Sequence, residues 1–184
     1  MGLFGFGKKK EKTPAAGKND SFTLSGPANA TTAKCIMIAG VRGVTAEITI
    51  NDADPVTLTH GPLTLVGENA IQTYLDVRGV GAPLKPKKAR HLGDQNRWIE
   101  VSVQLLDTDT QIDTVTQRMN DILAEQEYLV GPLTQADAPV AGSIFTLKKA
   151  GKLPAGLDHI DAWLIRVEGL IPDDIRASYM AHVS

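Results

Sequence analysis

The sequence predicts an α+β protein in which a small sheet domain precedes an all-helical bundle. Three observations lead to this fold class. Short segments of strand character lie between residues 33 and 66, a stretch rich in glycine and proline covers residues 79–86, and apolar residues recur at helical spacing from there onwards. We therefore expect a tail over residues 1–32, a sheet domain over residues 33–80 and a helical domain over residues 86–184.

The composition fits a soluble globular protein with a sizeable core. Of its 184 residues 42% are apolar, the formal net charge is −2 and the pI is about 6.1. Such a chain has no overall basic field for nucleic acid or an anionic membrane. The one cysteine, Cys35, excludes an intramolecular disulfide framework, and no apolar run approaches the roughly 20 residues of a membrane-spanning helix. We expect a cytoplasmic, reducing setting.

Residues 1–32 are predicted to form a disordered tail, because lysine, glycine, alanine, proline and serine dominate them and apolar periodicity is weak. The first ten residues leave an alternative open. Phe4 and Phe6 precede Lys8, Lys9 and Lys10, which suits a tether whose rings insert into a partner's groove or a membrane surface while the lysines supply positive charge.

The sheet domain is predicted from four strand-like segments and one helix. The strands cover residues 34–39, 45–50, 56–59 and 63–66, and the second alternates apolar and polar residues as a half-buried strand does. The helix is indicated by a set of apolar residues three and four apart, which share one face: Ala70, Ile71, Tyr74 and Leu75. Cys35 lies in the first strand, where we expect a buried, inert thiol.

Five helices are predicted beyond residue 86, over about residues 88–106, 110–127, 134–150, 158–170 and 173–183. The second has the cleanest amphipathic spacing. The third begins with a capping signal. The Thr134 hydroxyl can accept from the amide of the third helical residue, while Asp137 can accept from the amide of Thr134 and favours the positive helix end. This pair is a capping box with aspartate in place of the commoner glutamate.

Residues 128–140, which contain this signal, resemble the all-helical C-terminal domain of the glutathione S-transferase (GST) superfamily, together with residues 97–100 upstream and 158–167 downstream. A weaker match over residues 62–75 looks like the strand and helix that end the family's thioredoxin-like domain. The resemblance implies a GST-like fold in which a truncated thioredoxin-like domain precedes the bundle. It also places Trp98 and Trp163 at core positions, so we assign both to packing.

The N-terminal half departs from catalytic members of that family. Their thiol-activating Tyr, Ser or Cys follows the first strand at the mouth of the first helix. At the corresponding place, residues 40–45 offer only the hydroxyl of Thr45. Only 15 residues separate Ala39 from Pro55, too few for a helix, a strand and a second helix at about 10 or more residues per helix. At least one helix of the glutathione-facing layer is therefore predicted to be missing.

Three positions correspond to glutathione contacts of the family in altered form. Gly67 and Glu68 stand where the resemblance places an acid and a serine that hold the γ-glutamyl group, and a carboxylate there would repel that of the ligand. Pro55 stands near the family's cis-proline, although Asp54-Pro55 equally fits an ordinary turn. We treat these as vestigial positions and expect no cofactor.

The internal basic cluster is formed by Lys85, Lys87, Lys88 and Arg90. It fits a solvated linker and helix start, and the alternative is contact with the phosphates of an RNA or with an acidic partner surface. The four histidines lack metal-ligand spacing, so no metal site is predicted.

These features predict a non-catalytic GST-like protein–protein interaction module, a structural subunit or adaptor of a larger complex. The expected partners are other protein subunits, with homo- or heterodimerisation through the GST-like fold. Nucleic acid, and a membrane reached through the tail, are less favoured partners. The sheet edge and the groove between bundle helices are the expected docking surfaces. Two other classes stay open: a glutathione-dependent transferase with a thiol-activating group near residues 42–45, and an RNA-binding accessory factor that uses the basic cluster.

Overall fold

The computed structural model describes residues 21–52, 55–107, 112–171 and 173. Within them, strands and helices follow one another in the order β1 Phe22–Gly26, α1 Ala30–Val41, β2 Ala46–Ile50, β3 Thr57–His60, β4 Leu63–Val66, α2 Glu68–Arg78, α3 Ala89–Asp107, α4 Ile112–Glu125, α5 Asp137–Lys149 and α6 Asp158–Glu168. A small sheet domain followed by helices is the predicted α+β arrangement, which is confirmed.

The four strands form one mixed sheet in the order β2-β1-β3-β4. β1 is parallel to β2 and antiparallel to β3, and β4 is an edge strand antiparallel to β3. Leu24 lies between Ile48 and Leu58 in register, so one face of the sheet is apolar. Helix α2 lies on that face, because the Tyr74 hydroxyl is 2.7 Å from His60 Nδ1 and His60 shares the face of Leu58.

The prediction of a tail through residue 32 is wrong from residue 22 onwards. Residues 22–26 form β1, which lies between β2 and β3, and Phe22 and Leu24 are buried. Their alternation with Thr23 and Ser25 spans only 5 residues and borders a stretch of glycine, proline and asparagine, so composition concealed it. The sheet domain therefore begins before residue 33.

The segment predicted as the first strand, residues 34–39, is the middle of helix α1. Residues 32–40 are all buried, since α1 packs against β1, α2 and α5. A short apolar run that is buried on every side has no 3.6-residue period, and periodicity cannot distinguish it from a buried strand. The helix begins after Asn29, whose Oδ1 accepts a hydrogen bond from the amide of Thr32 at 3.0 Å.

The second face of the sheet is polar and rich in hydroxyl groups. Strand register places eight residues on it: Thr23, Ser25, Glu47, Thr49, Thr57, Thr59, Thr64 and Val66. Those on β2 and β4 are exposed. Only residues 51–56 connect β2 to β3, which is fewer than two helical turns. The side chains of this face suit a hydrated environment.

Four of the predicted bundle helices lie within about three residues of their expected bounds. The largest difference is at α5, which begins at Asp137 and not at Thr134. Helix α6 has a cap that sequence spacing did not indicate. Asn120 of α4 accepts hydrogen bonds through Oδ1 from the amides of His159 and Ile160, at 3.1 and 3.2 Å. The predicted last helix, over residues 173–183, lies outside the described residues apart from Asp173.

A buried ion pair holds the segment between the sheet domain and the bundle. Arg42 Nε lies 3.1 Å from Asp76 Oδ1, and both side chains are buried. Arg42 Nη1 donates to the carbonyl of Ala82 at 2.9 Å, while the amide of Leu84 donates to Asp76 Oδ1 at 2.8 Å. The backbone of Gly79 approaches so closely that an added Cβ would lie 2.4 Å from Arg42 Cβ. The segment is therefore fixed by residues distant in sequence.

Candidate functional site

The mouth of α1 lies where the end of β1, the residue after Pro55 and the start of α2 meet. The amide of Gly67 donates to the carbonyl of Val56 at 2.9 Å. A Cβ added to Gly26 would lie 2.6 Å from Thr32 Oγ1 and 3.2 Å from Val56 Cα. The structure thus brings together two of the three vestigial positions, Gly67 and the exposed Pro55, through the buried Val56 between them.

Among residues 27–34 of this mouth, only the partly buried Thr31 offers a hydroxyl that solvent can reach. Residues 27–34 contain no Tyr, Ser or Cys. Their hydroxyls are those of Thr31 and of Thr32, and Thr32 is 1% exposed, with no hydrogen-bond partner for its Oγ1 among the described residues. Residues 40–45, where the sequence led us to look for the group, lie at the C-terminal end of α1 and beyond it. The expected position of the thiol-activating group at residues 40–45 is wrong, because the first strand is Phe22–Gly26 and the segment predicted as that strand, residues 34–39, lies in α1.

The missing helix belongs to the connection between β2 and β3. The prediction of too few residues between Ala39 and Pro55 is wrong in its starting point, since Ala39 lies within α1 and the first strand ends at Gly26. The structure has a strand, a helix and a strand before residue 51, and then six connecting residues at 51–56. The helix that was predicted to be missing is therefore the one that would connect β2 to β3 on the polar face of the sheet.

Glu68 is paired within the protein. The Nζ of Lys34 on α1 lies 3.5 Å from Glu68 Oε1, and the Lys34 side chain is only 2% exposed. Gln72 Nε2 donates to the same oxygen at 2.9 Å. The expected repulsion of a ligand carboxylate assumed an unpaired Glu68, so the pairing with Lys34 corrects that expectation. Sequence reasoning missed Lys34 because a lysine in an apolar run gives no sign of its partner.

Cys35 is adjacent to this pair in sequence and is fully buried. Burial raises the pKa of its thiol far above the ordinary range, the nearby Glu68 carboxylate raises it further, and Lys34 partly opposes both effects. The thiol therefore stays protonated at physiological pH and is shielded from reagents. The expected burial is found, although in a helix and not in a strand.

Asp137 organises the start of α5. Its Oδ2 accepts from the amide and the hydroxyl of Thr134 at 2.8 and 3.2 Å, and its Oδ1 accepts from the amide of Leu129 and from Trp163 Nε1, each at 3.1 Å. Burial raises the pKa of this carboxyl, and the four hydrogen bonds oppose that shift. The carboxylate half of the predicted capping box is present, whereas the Thr134 hydroxyl accepts only a long 3.4 Å contact from the amide of Ala136. Trp98 and Trp163 both lie in the core.

A polar cleft of about 450 Å³ lies between α2 and α3. Five carboxamide side chains line it: Asn69, Gln72, Gln95, Asn96 and Gln135. Lys85 also lines it, so one residue of the basic cluster belongs to this cleft. The sequence alone did not indicate the cleft, because the carboxamides come from separate elements and only Asn69 and Gln72 of α2 have the three-residue spacing of a shared helix face.

The remaining predicted contact residues form no site with these. Lys87, Lys88 and Arg90 are exposed, and Arg90 is within 3.9 Å of Asp94 on its own helix, a solvated pair of little strength. The tether residues Phe4, Phe6, Lys8, Lys9 and Lys10 lie outside the described residues. Within the described part of the chain, no cluster of three His, Cys, Asp or Glu side chains could hold a metal, and no helix is long and apolar enough to cross a membrane.

Comparison with known proteins identifies the fold. No protein-family model matches the sequence, and no curated protein matches it significantly. The apo theta-class glutathione S-transferase of Xanthomonas axonopodis pv. citri is similar at a TM-score of 0.67 and 22% identity, over 90% of this chain and 100% of that one. A delta-class enzyme of Nilaparvata lugens gives 0.69 and 17%, over 88% and 98%. Glutathione transferase F7 of Populus trichocarpa gives 0.67 and 14%, over 89% and 99%. The chain therefore has the GST-like fold, with a thioredoxin-like domain and a helical domain.

Proposed function

We propose that this protein is a non-catalytic, GST-like interaction module that serves as a subunit or adaptor of a larger protein complex. The observation that carries the proposal is the mouth of α1, where Thr32 is buried and no Tyr, Ser or Cys occurs among residues 27–34. A glutathione transferase must stabilise a thiolate at this place. The short connection at residues 51–56 also leaves no room for the helix that the resemblance implies between β2 and β3.

The edge strand β4 is the surface on which we expect a partner to dock. It ends the sheet, and its Leu63 and Val66 are 37% and 56% exposed. Edge strands offer unpaired main-chain groups, and an added strand from a partner can pair with them. Apolar side chains beside such groups add buried area to the contact.

Two substitutions test this surface. The tagged wild-type chain and a Leu63→Lys/Val66→Lys variant are purified from native cells, and their co-purifying proteins are compared by quantitative mass spectrometry. Defined subunits should be retained by the wild type and lost, by tenfold or more, from the variant. Ile165→Lys is the matched control, because Ile165 is an apolar residue of α6 that is 70% exposed. Equal retention by all three chains would contradict docking at β4.

A glutathione-dependent transferase is the second candidate. The pairing of Glu68 with Lys34 favours it, because a compensated carboxylate does not repel an anionic ligand. The solved structures of similar fold are glutathione S-transferases at 14–23% identity. Calorimetry with reduced glutathione, followed by a turnover assay with an aryl halide, separates the candidates. Turnover that Thr31→Ala abolishes would replace the adaptor proposal.

A further inference from the structure

A groove lies between the consecutive helices α3 and α4, of which α3 packs against α5 and α4 packs against α6. Its volume is about 290 Å³, and its apolar lining consists of Trp98, Val101 and Val115. Sites that enclose a small molecule usually have about 300–1,000 Å³. The α3–α4 groove lies just below this range, which suits side chains of a protein that lies across it better than an enclosed small molecule.

The groove offers hydrogen-bond donors that have no acceptor in the described part of the chain. Arg97 of α3 and Arg118 of α4 line it and are exposed, and neither forms an ion pair or a hydrogen bond there. Trp98 is 5% exposed, and its Nε1 also has no partner among the described residues. This nitrogen is not fully enclosed, in contrast to Gln95 Oε1. Guanidinium and indole nitrogens only donate, so the groove suits an acceptor, and two guanidinium groups suit a carboxylate.

An adjoining hollow beside α4 carries the opposite charge. Asp113 and Asp121 line it together with Arg118, and both aspartates are exposed. In the α3–α4 groove itself, Glu100 opposes the two arginines only in part, so the lining of the groove keeps a net positive charge. A positive and a negative surface therefore lie side by side, and Arg118 belongs to both.

This charge pattern selects the class of occupant. A nucleic acid carries only negative charge, so Glu100, Asp113 and Asp121 would repel the phosphates on either side of one bound to the arginines. A small monoanion would satisfy the arginines and leave the aspartates of the hollow without a partner. A protein segment presents acidic and basic side chains a few residues apart, so it matches both surfaces at once, and the two charges fix its register.

We propose that the α3–α4 groove binds a segment of a partner protein in which an acidic side chain contacts Arg97 and Arg118 and a nearby basic side chain contacts Asp113 and Asp121. Apolar side chains between the two charges contact the apolar lining. The inference deepens the proposed function and rests on it only in taking the segment from a partner protein. The groove and strand β4 share no residue, so either contact can exist without the other.

The test uses the full chain and the synthetic peptide acetyl-Glu-Leu-Leu-Lys-amide, which carries both charges and has no net charge. Titration of the ¹⁵N-labelled protein should shift the indole N–H signal of Trp98 saturably and leave that of the fully buried Trp163 unchanged. A peptide with Gln in place of Glu should bind about fivefold more weakly, and one with Gln in place of Lys about threefold more weakly, because each loses one set of exposed ion pairs.

Charge reversal in the protein identifies the contacts. Arg118→Glu should weaken binding of the peptide by about tenfold, because the acidic side chain then meets a like charge. A peptide with Lys in place of Glu should bind this variant more tightly than it binds wild type, an effect that a purely structural role of Arg118 would not produce. Arg90→Glu is the matched control, since Arg90 is an exposed arginine of α3 outside the groove, and it should leave the affinity unchanged.

Four results overturn the proposal. They are the lack of a saturable shift of Trp98, equal affinity for the parent and both Gln-substituted peptides, equal losses in Arg90→Glu and Arg118→Glu, and tighter binding of acetyl-leucine or hexauridylate than of the peptide. The last result would make the occupant a small anion or an RNA. A dimer in sedimentation equilibrium that Arg118→Glu dissociates would also overturn it, because a second copy would then occupy the groove. Because the probe is synthetic, failure here leaves the β4 co-purification result unaffected.

Discussion

Replacing Asp137 by asparagine should destabilise the fold strongly, although the two side chains have the same shape. The carboxylate is fully buried and accepts four hydrogen bonds. If the oxygen of the new carboxamide faces Leu129 and Trp163, its NH₂ group faces the amide N–H of Thr134, which is also a donor. If the carboxamide is flipped, its NH₂ group faces the amide of Leu129 and Nε1 of Trp163, and both of these buried donors lose their acceptor. A buried donor left unpaired costs about 1–3 kcal/mol, and the remaining bonds lose their charge assistance. We expect a loss of about 3 kcal/mol in the free energy of unfolding.

Urea unfolding followed by tryptophan fluorescence measures this loss, and the corresponding decrease in melting temperature is about 6–12 °C. Asp161→Asn is the control, since Asp161 is about half-exposed in its pair with Lys148 and should change stability by less than about 1 kcal/mol. A loss below about 1 kcal/mol in Asp137→Asn would refute the reasoning.

Three other outcomes follow from buried contacts. Gly142→Ala should lower the free energy of unfolding by about 1–3 kcal/mol, because the added Cβ would lie 3.0 Å from a side chain of α1. Gly93→Ala is the control: its Cβ enters open space on α3, so it should raise the free energy of unfolding by about 0.5–1 kcal/mol. Thermal unfolding measures both changes, and similar values for the two variants would contradict the packing argument. Arg42→Met should lower the free energy of unfolding, measured in urea, by about 3–5 kcal/mol, because it leaves the Asp76 carboxylate buried without its ion-pair partner. Adding Asp76→Leu should restore part of that free energy. If the losses of the two single variants instead add up in the double variant, the ion pair does not stabilise the fold. Cys35 should react with Ellman's reagent at pH 8 only after unfolding, and rapid reaction of the folded protein would disprove its burial.

The bundle was predictable because its signals are local. Amphipathic periodicity located α3, α4 and α6 within about two residues, since each helix buries one face and exposes the other. Spacing also identified the acceptor role of Asp137 for the amide of Thr134, a contact between residues three apart. That the same carboxylate also accepts from Trp163 was not predictable, because the partner lies on another helix.

The sheet domain was predicted less well for the opposite reason. Helix α1 is buried on all sides, so its apolar run carried no period, and β1 is too short to stand out from its surroundings. One error followed from the other, since assigning residues 34–39 as the first strand moved the expected catalytic position to the wrong end of α1. The prediction of a missing helix depended on a count that starts within α1, and it is the six residues between β2 and β3 in the structure that locate the loss.

Local order along the chain thus determined the fold class and the helix bounds of the bundle, since these depend on neighbouring residues. Packing decided the rest. It paired Lys34 with Glu68, enclosed Cys35 and assembled five carboxamides from three segments around one cleft. Such contacts join residues whose separation in sequence carries no period, and their energies depend on the burial that only the folded chain creates.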